Sequence, residues 1–253
     1  GYIRIPTYRF DDGHPRPDIM EFKTGDPDVK LKDTRGVAYE GRDYLSTTSH
    51  IRIAWSRDGL HFTVDEKPFI FPVDETEAYG IEDARVTFID GKHYISYTAV
   101  SQDSWATALA VTEDFKSVER KGFIFYPENK DVVIFPEKVR GKYIALHRPN
   151  NSGFGKPSIW YAESPDIIHW GNHRCILRPR AMERESMKIG AGAPPIKTPE
   201  GWLAIVHGTS DKSVYSLFSV LLDLEEPWRV VRRADKPFLV PTEPYETEGF
   251  FGN

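Results

Sequence analysis

Six basic side chains stand out in this chain, Arg85, Lys130, Lys138, Arg148, Lys188 and His207, with Asp83 and Glu137 as the carboxylates that accompany them. If the fold gathers them at one mouth, several cations meet few acids there. In a chain of net charge −5, such a local positive cluster suits an anionic ligand such as phosphate. The competing account is that these lysines and arginines are ordinary strand residues paired with the chain's many acids. Residue types and periodicity leave the two accounts evenly balanced.

The elements that would have to position these groups are visible as a repeat. Turn glycines fall at Gly41, Gly91, Gly141 and Gly201, each followed by an aromatic-rich strand pattern such as Asp90-Gly-Lys-His-Tyr-Ile-Ser. A second recurring element ends at Asp58, Asp114, Asp166 and, more loosely, Asp223. Two registers sharing a period of roughly 50 residues describe one repeated all-β unit, and such units stack radially. Within a unit the pattern reads as a four-stranded propeller blade. A β-sandwich would give no reason for the same short strings to recur at that period. The sequence therefore predicts an all-β propeller in a single domain, 1–253, with repeats near 28–75, 76–127, 128–180 and 186–240. In a propeller the inner strand of each blade lines the central funnel. That placement is what would bring Asp83 and Arg85 together with Lys130, Glu137, Lys138, Arg148, Lys188 and His207.

Composition narrows the function classes. With 40% hydrophobic and 13% aromatic residues over 253 positions, the chain is globular. Its apolar runs are too short for a membrane span, and the amino terminus lacks a signal pattern, so no membrane partner is expected and the reading is a cytoplasmic enzyme. A single cysteine, Cys175, leaves no internal disulfide and no cysteine-rich metal site, so no metal is expected. The acidic balance argues against nucleic acid. Glycine and proline, 19 each, interrupt the chain too often for long helices. The glycines of Gly190-Ala-Gly-Ala-Pro-Pro lack a surrounding βαβ unit and read as places of close backbone approach to a ligand. Among the tryptophans, Trp160, Trp170, Trp202 and Trp228 read as core residues and Trp105 as a loop residue.

Several longer strings carry a family resemblance. Gly80-Ile-Glu-Asp-Ala-Arg-Val-Thr, Asn129-Lys-Asp-Val-Val-Ile-Phe-Pro-Glu-Lys, Leu146-His-Arg-Pro, Lys188-Ile-Gly-Ala-Gly-Ala-Pro-Pro-Ile-Lys-Thr and Tyr245-Glu-Thr-Glu-Gly-Phe-Phe-Gly-Asn occur in order, and the chain from about Ile51 onward closely resembles glycoside hydrolase family 130. That resemblance implies a five-bladed propeller acting on β-mannosides, most like the phosphorylases of β-1,2-linked manno-oligosaccharides. It implies no cofactor, with inorganic phosphate as co-substrate, and it places the catalytic acid on Asp83. Ala84 follows where the family usually has proline. The phosphate-binding positions fall on Lys130, Arg148, Lys188 and His207. Ser49, Arg52, Arg85, Glu137 and Lys138 are the substrate-binding candidates, with Ser49 and Arg52 matching a sugar-contacting strand.

An inverting phosphorylase needs an acid but no general base, because phosphate is already an anion. An inverting hydrolase needs a second carboxylate to activate water, and Glu137 is the candidate. Cations around Asp83 would depress its pKa, which works against a proton donor. The resemblance implies one way round this, a proton passed through a mannose hydroxyl. The expected product is α-mannose 1-phosphate. The alternatives are an inverting β-mannosidase of the same family and a non-catalytic glycan-binding propeller. Four repeats fit in the chain, so the fifth blade is expected to be incomplete. Either a further segment of chain or another copy would then cover the open edge, and a homo-oligomer is expected.

Overall fold

The computed structural model describes residues 1–11, 14–33, 36–45, 47–150 and 153–248, and it is almost wholly β. The string Gly-Phe-Phe-Gly-Asn at 249–253 lies outside the described residues. In chain order the strands are β1 (Tyr2–Asp11), β2 (His14–Lys23), β3 (Lys30–Asp33), β4 (Gly36–Tyr39), β5 (Arg42–Leu45), β6 (Ala54–Trp55) and β7 (Thr63–Val64). Then come β8 (Gly80–Ile89), β9 (Lys92–Ser101), β10 (Ser104–Thr112), β11 (Glu119–Phe125), β12 (Asn129–Ile134), β13 (Tyr143–Pro149), β14 (Ile159–Ser164) and β15 (Gly171–Leu177). The last are β16 (Lys188–Ala191), β17 (Ile196–Thr198), β18 (Gly201–Thr209), β19 (Tyr215–Leu222) and β20 (Val230–Arg233). Among the described residues helix is confined to a 3₁₀ turn at Glu75–Glu77 and α1 (Pro244–Thr247), and no helix is long and apolar enough to cross a membrane.

Successive sheets are antiparallel meanders. Strands β8 to β11 lie in order in one sheet and β12 to β15 in the next, while β16, β18, β19 and β20 form a third in which β17 also pairs β18. The chain forms two compact units. The first comprises Gly1–Ala84, Tyr97–Trp105 and Thr112–Glu119; the second comprises Arg85–Ser96, Ala106–Val111 and Arg120–Asn253. The sheet β8 to β11 contributes to both.

The first unit holds a small core of Ile5, Phe22 and Val37, with Tyr39 and Tyr44 packed on it. In the second unit the sheet β12 to β15 is buried on both faces. Val133, Ile144 and Leu146 face one core, shared with Trp202, Val206 and Phe218, whereas Val132, Ile134 and Ala145 face another with Leu109 and Phe125. Alternate residues of a strand point to opposite faces, so a strand buried on both sides reads as the continuous apolar run Val132-Val-Ile-Phe. Strand β19 instead alternates buried Phe218, Val220 and Leu222 with partly exposed neighbours, because one face alone meets the core. Tryptophans at 202, 170 and 228 are core or core-flanking residues, whereas Trp105 lies in β10 and not in a loop.

The recurring turn glycines have two different causes. Glu40-Gly41, Asp90-Gly91 and Arg140-Gly141 all have positive φ at both residues, the two-residue hairpin geometry that follows the natural twist of the strands. Gly201 differs: a Cβ there would come within 2.4 Å of the Leu222 carbonyl oxygen, so its glycine admits β19. The recurring aspartates close loops. Asp58 accepts from the amides of Leu60 and His61, Asp114 from Lys116 and Ser117, Asp166 from Ile168 and His169, and Asp223 from Glu225 and Glu226. These amides hold all four carboxyls below the usual carboxylate range.

Candidate active site

The second unit gathers three of the basic residues around a carboxylate absent from the sequence-based candidates. Asp131 is 3% exposed and sits where the β12–β13 register shifts between Lys130 and Val133, with a positive φ of 56°. A bulge re-aims a side chain, and aspartate tolerates the left-handed region better than most residues. Its carboxylate accepts from Arg148 Nε at 2.5 Å, lies 3.2 Å from His207 Nε2 and is 3.5 Å from an Arg85 guanidinium nitrogen. Burial pushes its pKa up, but the His207 hydrogen bond and the Arg148 charge outweigh that and hold it well below the usual range.

Strand registers explain the convergence. Lys130 is the cross-strand partner of Arg148, and Gly190 that of His207. Arg85 is fixed by donating from Nε to the Gly192 carbonyl at 3.0 Å and from its terminal nitrogen to Ala191 at 3.2 Å. Tyr215 links Lys188 to the cluster: its ring lies 5.6 Å from that of His207 and 4.8 Å from Lys188 Nζ. Against one buried aspartate the second unit therefore sets two arginines and a histidine, with a lysine beyond Tyr215 and another across from Arg148.

Gly190 leaves room for Asp131 and His207. A Cβ there would lie 2.1 Å from an Asp131 carboxylate oxygen and 2.5 Å from His207 Nε2. Gly190→Ala is expected to force the cluster apart at a cost of about 1–3 kcal/mol. Gly192→Ala, whose Cβ meets nothing nearer than the Ile205 carbonyl oxygen at 3.2 Å, should cost less. Urea unfolding of the two variants measures the difference.

Beside Arg148 on β13, His147 serves the sheet's other face. It stacks on Phe125 at 4.5 Å and lines a cavity of about 540 Å³ with Trp160, Trp170 and His173. Asn129 Nδ2 lies 2.9 Å from its Nδ1, and His173 Nδ1 lies 3.1 Å from its Nε2. Burial first, then the neighbouring His173, lowers its pKa to about 3. A histidine kept neutral in the fold but titrating near 6.5 when unfolded contributes stability above pH 6.5, which is lost as pH falls from 6.5 toward 3. The expected slope is about 1.4 kcal/mol per pH unit, and His147→Asn should flatten it in urea titrations from pH 7 to pH 4.

The structure does not bring Glu137 and Lys138 to the Asp131 cluster. Both lie beyond the end of β12 at Ile134, in or just after a bend at residues 136–137. There Glu137 pairs with Lys197, and Lys138 lies 4.5 Å over the Tyr143 ring at the start of β13, the opposite end from Arg148. Ser49, Arg52 and Asp83 belong to the first unit. Ser49 accepts from the Ile81 amide at 3.1 Å, and its backbone packs so tightly on Gly80 that a Cβ there would come within 2.4 Å. Arg52 donates to the Asp65 carbonyl at 2.6 Å. Asp83 is exposed, two residues before Arg85 on β8, with a positive φ of 60° that breaks the pleat and sets its carboxyl off from Glu82 and Ala84. Among the described residues no cluster of ligating side chains could hold a metal ion.

The sequence model of glycoside hydrolase family 130, described as beta-1,4-mannooligosaccharide phosphorylase, matches residues 29–253. The chain belongs to glycoside hydrolase family 130. Within this family, the Beta-1,2-mannobiose phosphorylase of Listeria innocua is 46% identical over 240 residues, spanning 93% of this chain and 68% of the relative. The 1,2-beta-oligomannan phosphorylase of a Thermoanaerobacter species is 41% identical over 213 residues, spanning 83% of this chain and 70% of the relative. Among solved structures, that of Beta-1,2-mannobiose phosphorylase from Listeria innocua in complex with beta-1,2-mannobiose superposes with a TM-score of 0.92 at 44% identity. It covers 99% of this family 130 chain and 72% of that one.

Proposed function

We propose that this chain catalyses the inverting phosphorolysis of β-1,2-linked manno-oligosaccharides by inorganic phosphate, releasing α-mannose 1-phosphate. The observation that carries the reading is the Asp131-centred cluster. Arg148, Arg85 and His207 are held by one buried carboxylate, which orients them before any ligand arrives and leaves their positive charge in excess. Lys188 and Lys130 add point charges. Phosphate held there attacks the anomeric carbon of the mannosyl unit while Asp83 supplies the proton that the leaving sugar needs. The carbon–oxygen bond to phosphate forms as the glycosidic bond breaks, so the configuration inverts.

Hydrolysis would need a base poised near neutrality. Asp131 is held too far below the usual range for that task, and Glu137 lies beyond the end of β12, beside Lys197. The β-1,2 preference rests on the two relatives named for that linkage. The same reading takes the sheets as blades of a five-bladed propeller in one domain, Ser49 and Arg52 as sugar contacts, and the enzyme as a homo-oligomer, which light scattering would check. To test linkage and outcome together, the protein is incubated with phosphate and either β-1,2- or β-1,4-mannobiose while sugar phosphate is followed by phosphorus NMR. The α-anomer of mannose 1-phosphate from the β-1,2 substrate is expected at the higher rate; the reverse preference would refute the linkage, and a β-anomer would refute inversion.

A further inference from the structure

We infer that Glu185 is a positioning residue for the phosphate site, acting through the segment 178–187 that leads into Lys188; this rests on the phosphorylase reading. Glu185 is fully buried, in an irregular stretch between β15 and β16. A buried carboxylate is costly unless paired, and this one is paired twice. Arg233 places one guanidinium nitrogen 3.1 Å from both its oxygens, and Arg180 donates to it through Nε.

The two arginines then reach outward to the backbone. Arg233 also donates to the Arg178 carbonyl at 2.9 Å, and Arg180 to the Ala234 carbonyl at 2.6 Å and to Asp235 at 3.0 Å. Segment 178–187 is thereby bound to the end of β20 by a single buried charge. Its other attachments lie beside the phosphate-site candidates. Lys156 Nζ holds the Ser186 carbonyl at 2.6 Å, and the Met187 amide bonds to Thr209 at 2.9 Å, leaving Lys188 as the next residue.

The link to His207 is steric. Its neighbour Gly208 packs on this segment so closely that a Cβ would lie 2.5 Å from Glu185 Cβ and 3.0 Å from the Arg184 carbonyl oxygen. Position 208 thus registers β18 against the segment, and the segment delivers Lys188. One buried ion cluster, remote in sequence from Arg148, fixes where two of the proposed phosphate-site cations stand. Nothing in the reaction requires Glu185 to touch substrate.

The test is steady-state phosphorolysis of β-1,2-mannobiose by wild type, Glu185→Gln, Glu185→Asp and Arg180→Gln, with thermal midpoints measured alongside. Arg180 is a quarter exposed, so its variant keeps the test available if Glu185→Gln does not fold. Expected in Glu185→Gln and Arg180→Gln is a KM for phosphate raised about tenfold, equivalent to ~1.4 kcal/mol, with the KM for mannobiose unchanged. Glu185→Asp should recover part of the phosphate affinity. A merely structural role would lower the midpoint and the active fraction and leave both KM values alone, and that result would overturn the assignment. A wild-type enzyme whose turnover ignores phosphate would overturn the phosphorylase reading and this assignment with it, whereas phosphate-dependent wild type with unshifted variants would overturn this assignment alone.

Discussion

Asp83→Asn is expected to lower turnover of β-1,2-mannobiose by about 10³-fold while phosphate affinity stays within a factor of two. Asparagine keeps the size of the side chain and tolerates the left-handed backbone nearly as well as aspartate, so the variant removes the proton without disturbing φ at 60°. Alanine would confound the two effects, because it is strained at that φ. The check is a pair of substrates. A mannoside with a nitrophenolate leaving group needs little protonation and should recover much of the lost rate in Asp83→Asn, whereas mannobiose should not. Loss of rate on both substrates alike would place the acid elsewhere.

Arg148→Met is expected to abolish phosphate-dependent turnover and to destabilise the protein by about 3–5 kcal/mol, the cost of leaving a buried charge without its principal partner. Arg148 and Asp131 are both nearly inaccessible, and the 2.5 Å bond between them is the shortest contact of the cluster to a guanidinium. Methionine fills much of the same volume, so the effect reports charge rather than a cavity. Adding Asp131→Asn removes the charge that has lost this partner. The double variant should regain most of the stability seen in urea unfolding, yet no activity, because the phosphate fork is still absent. A single variant as stable as wild type would contradict the account of Asp131 as the organising charge.

Much of the frame was legible in the chain. The paired positive-φ turns at Glu40-Gly41, Asp90-Gly91 and Arg140-Gly141 follow from local chemistry, since glycine after an acidic or polar residue is a local preference. The core position of Trp202 follows from the alternation along its strand. Gly201 opens a similar turn-and-strand string but is held by a different obstruction, which no local reading could separate, because the obstructing atom belongs to Leu222. The candidate cations Arg85, Arg148 and His207 were named from the sequence, but the residue that joins them was not. Asp131 acquires its role through partners 46, 17 and 76 positions away, at residues 85, 148 and 207. Its one local signal was a carboxylate opening the buried run Val132-Val-Ile-Phe.

Glu137 and Lys138 lie apart from the Asp131 cluster, with Lys197 and Tyr143 as their partners. They share a motif string with Lys130, but a strand of six residues separates the ends of that string in space. Glu185 was silent in the sequence for the same reason as Asp131: its meaning lies in Arg180 and Arg233, the second of them on another strand.

The central claim is that the Asp131-centred cations hold a phosphate that attacks the mannosyl carbon, and the most direct measurement is β-1,2-mannobiose turnover with and without inorganic phosphate, products resolved by anomer. The account predicts α-mannose 1-phosphate and mannose in equal amounts when phosphate is present, and a rate near zero without it. Free mannose formed at the same rate in the absence of phosphate, two per mannobiose, would contradict it.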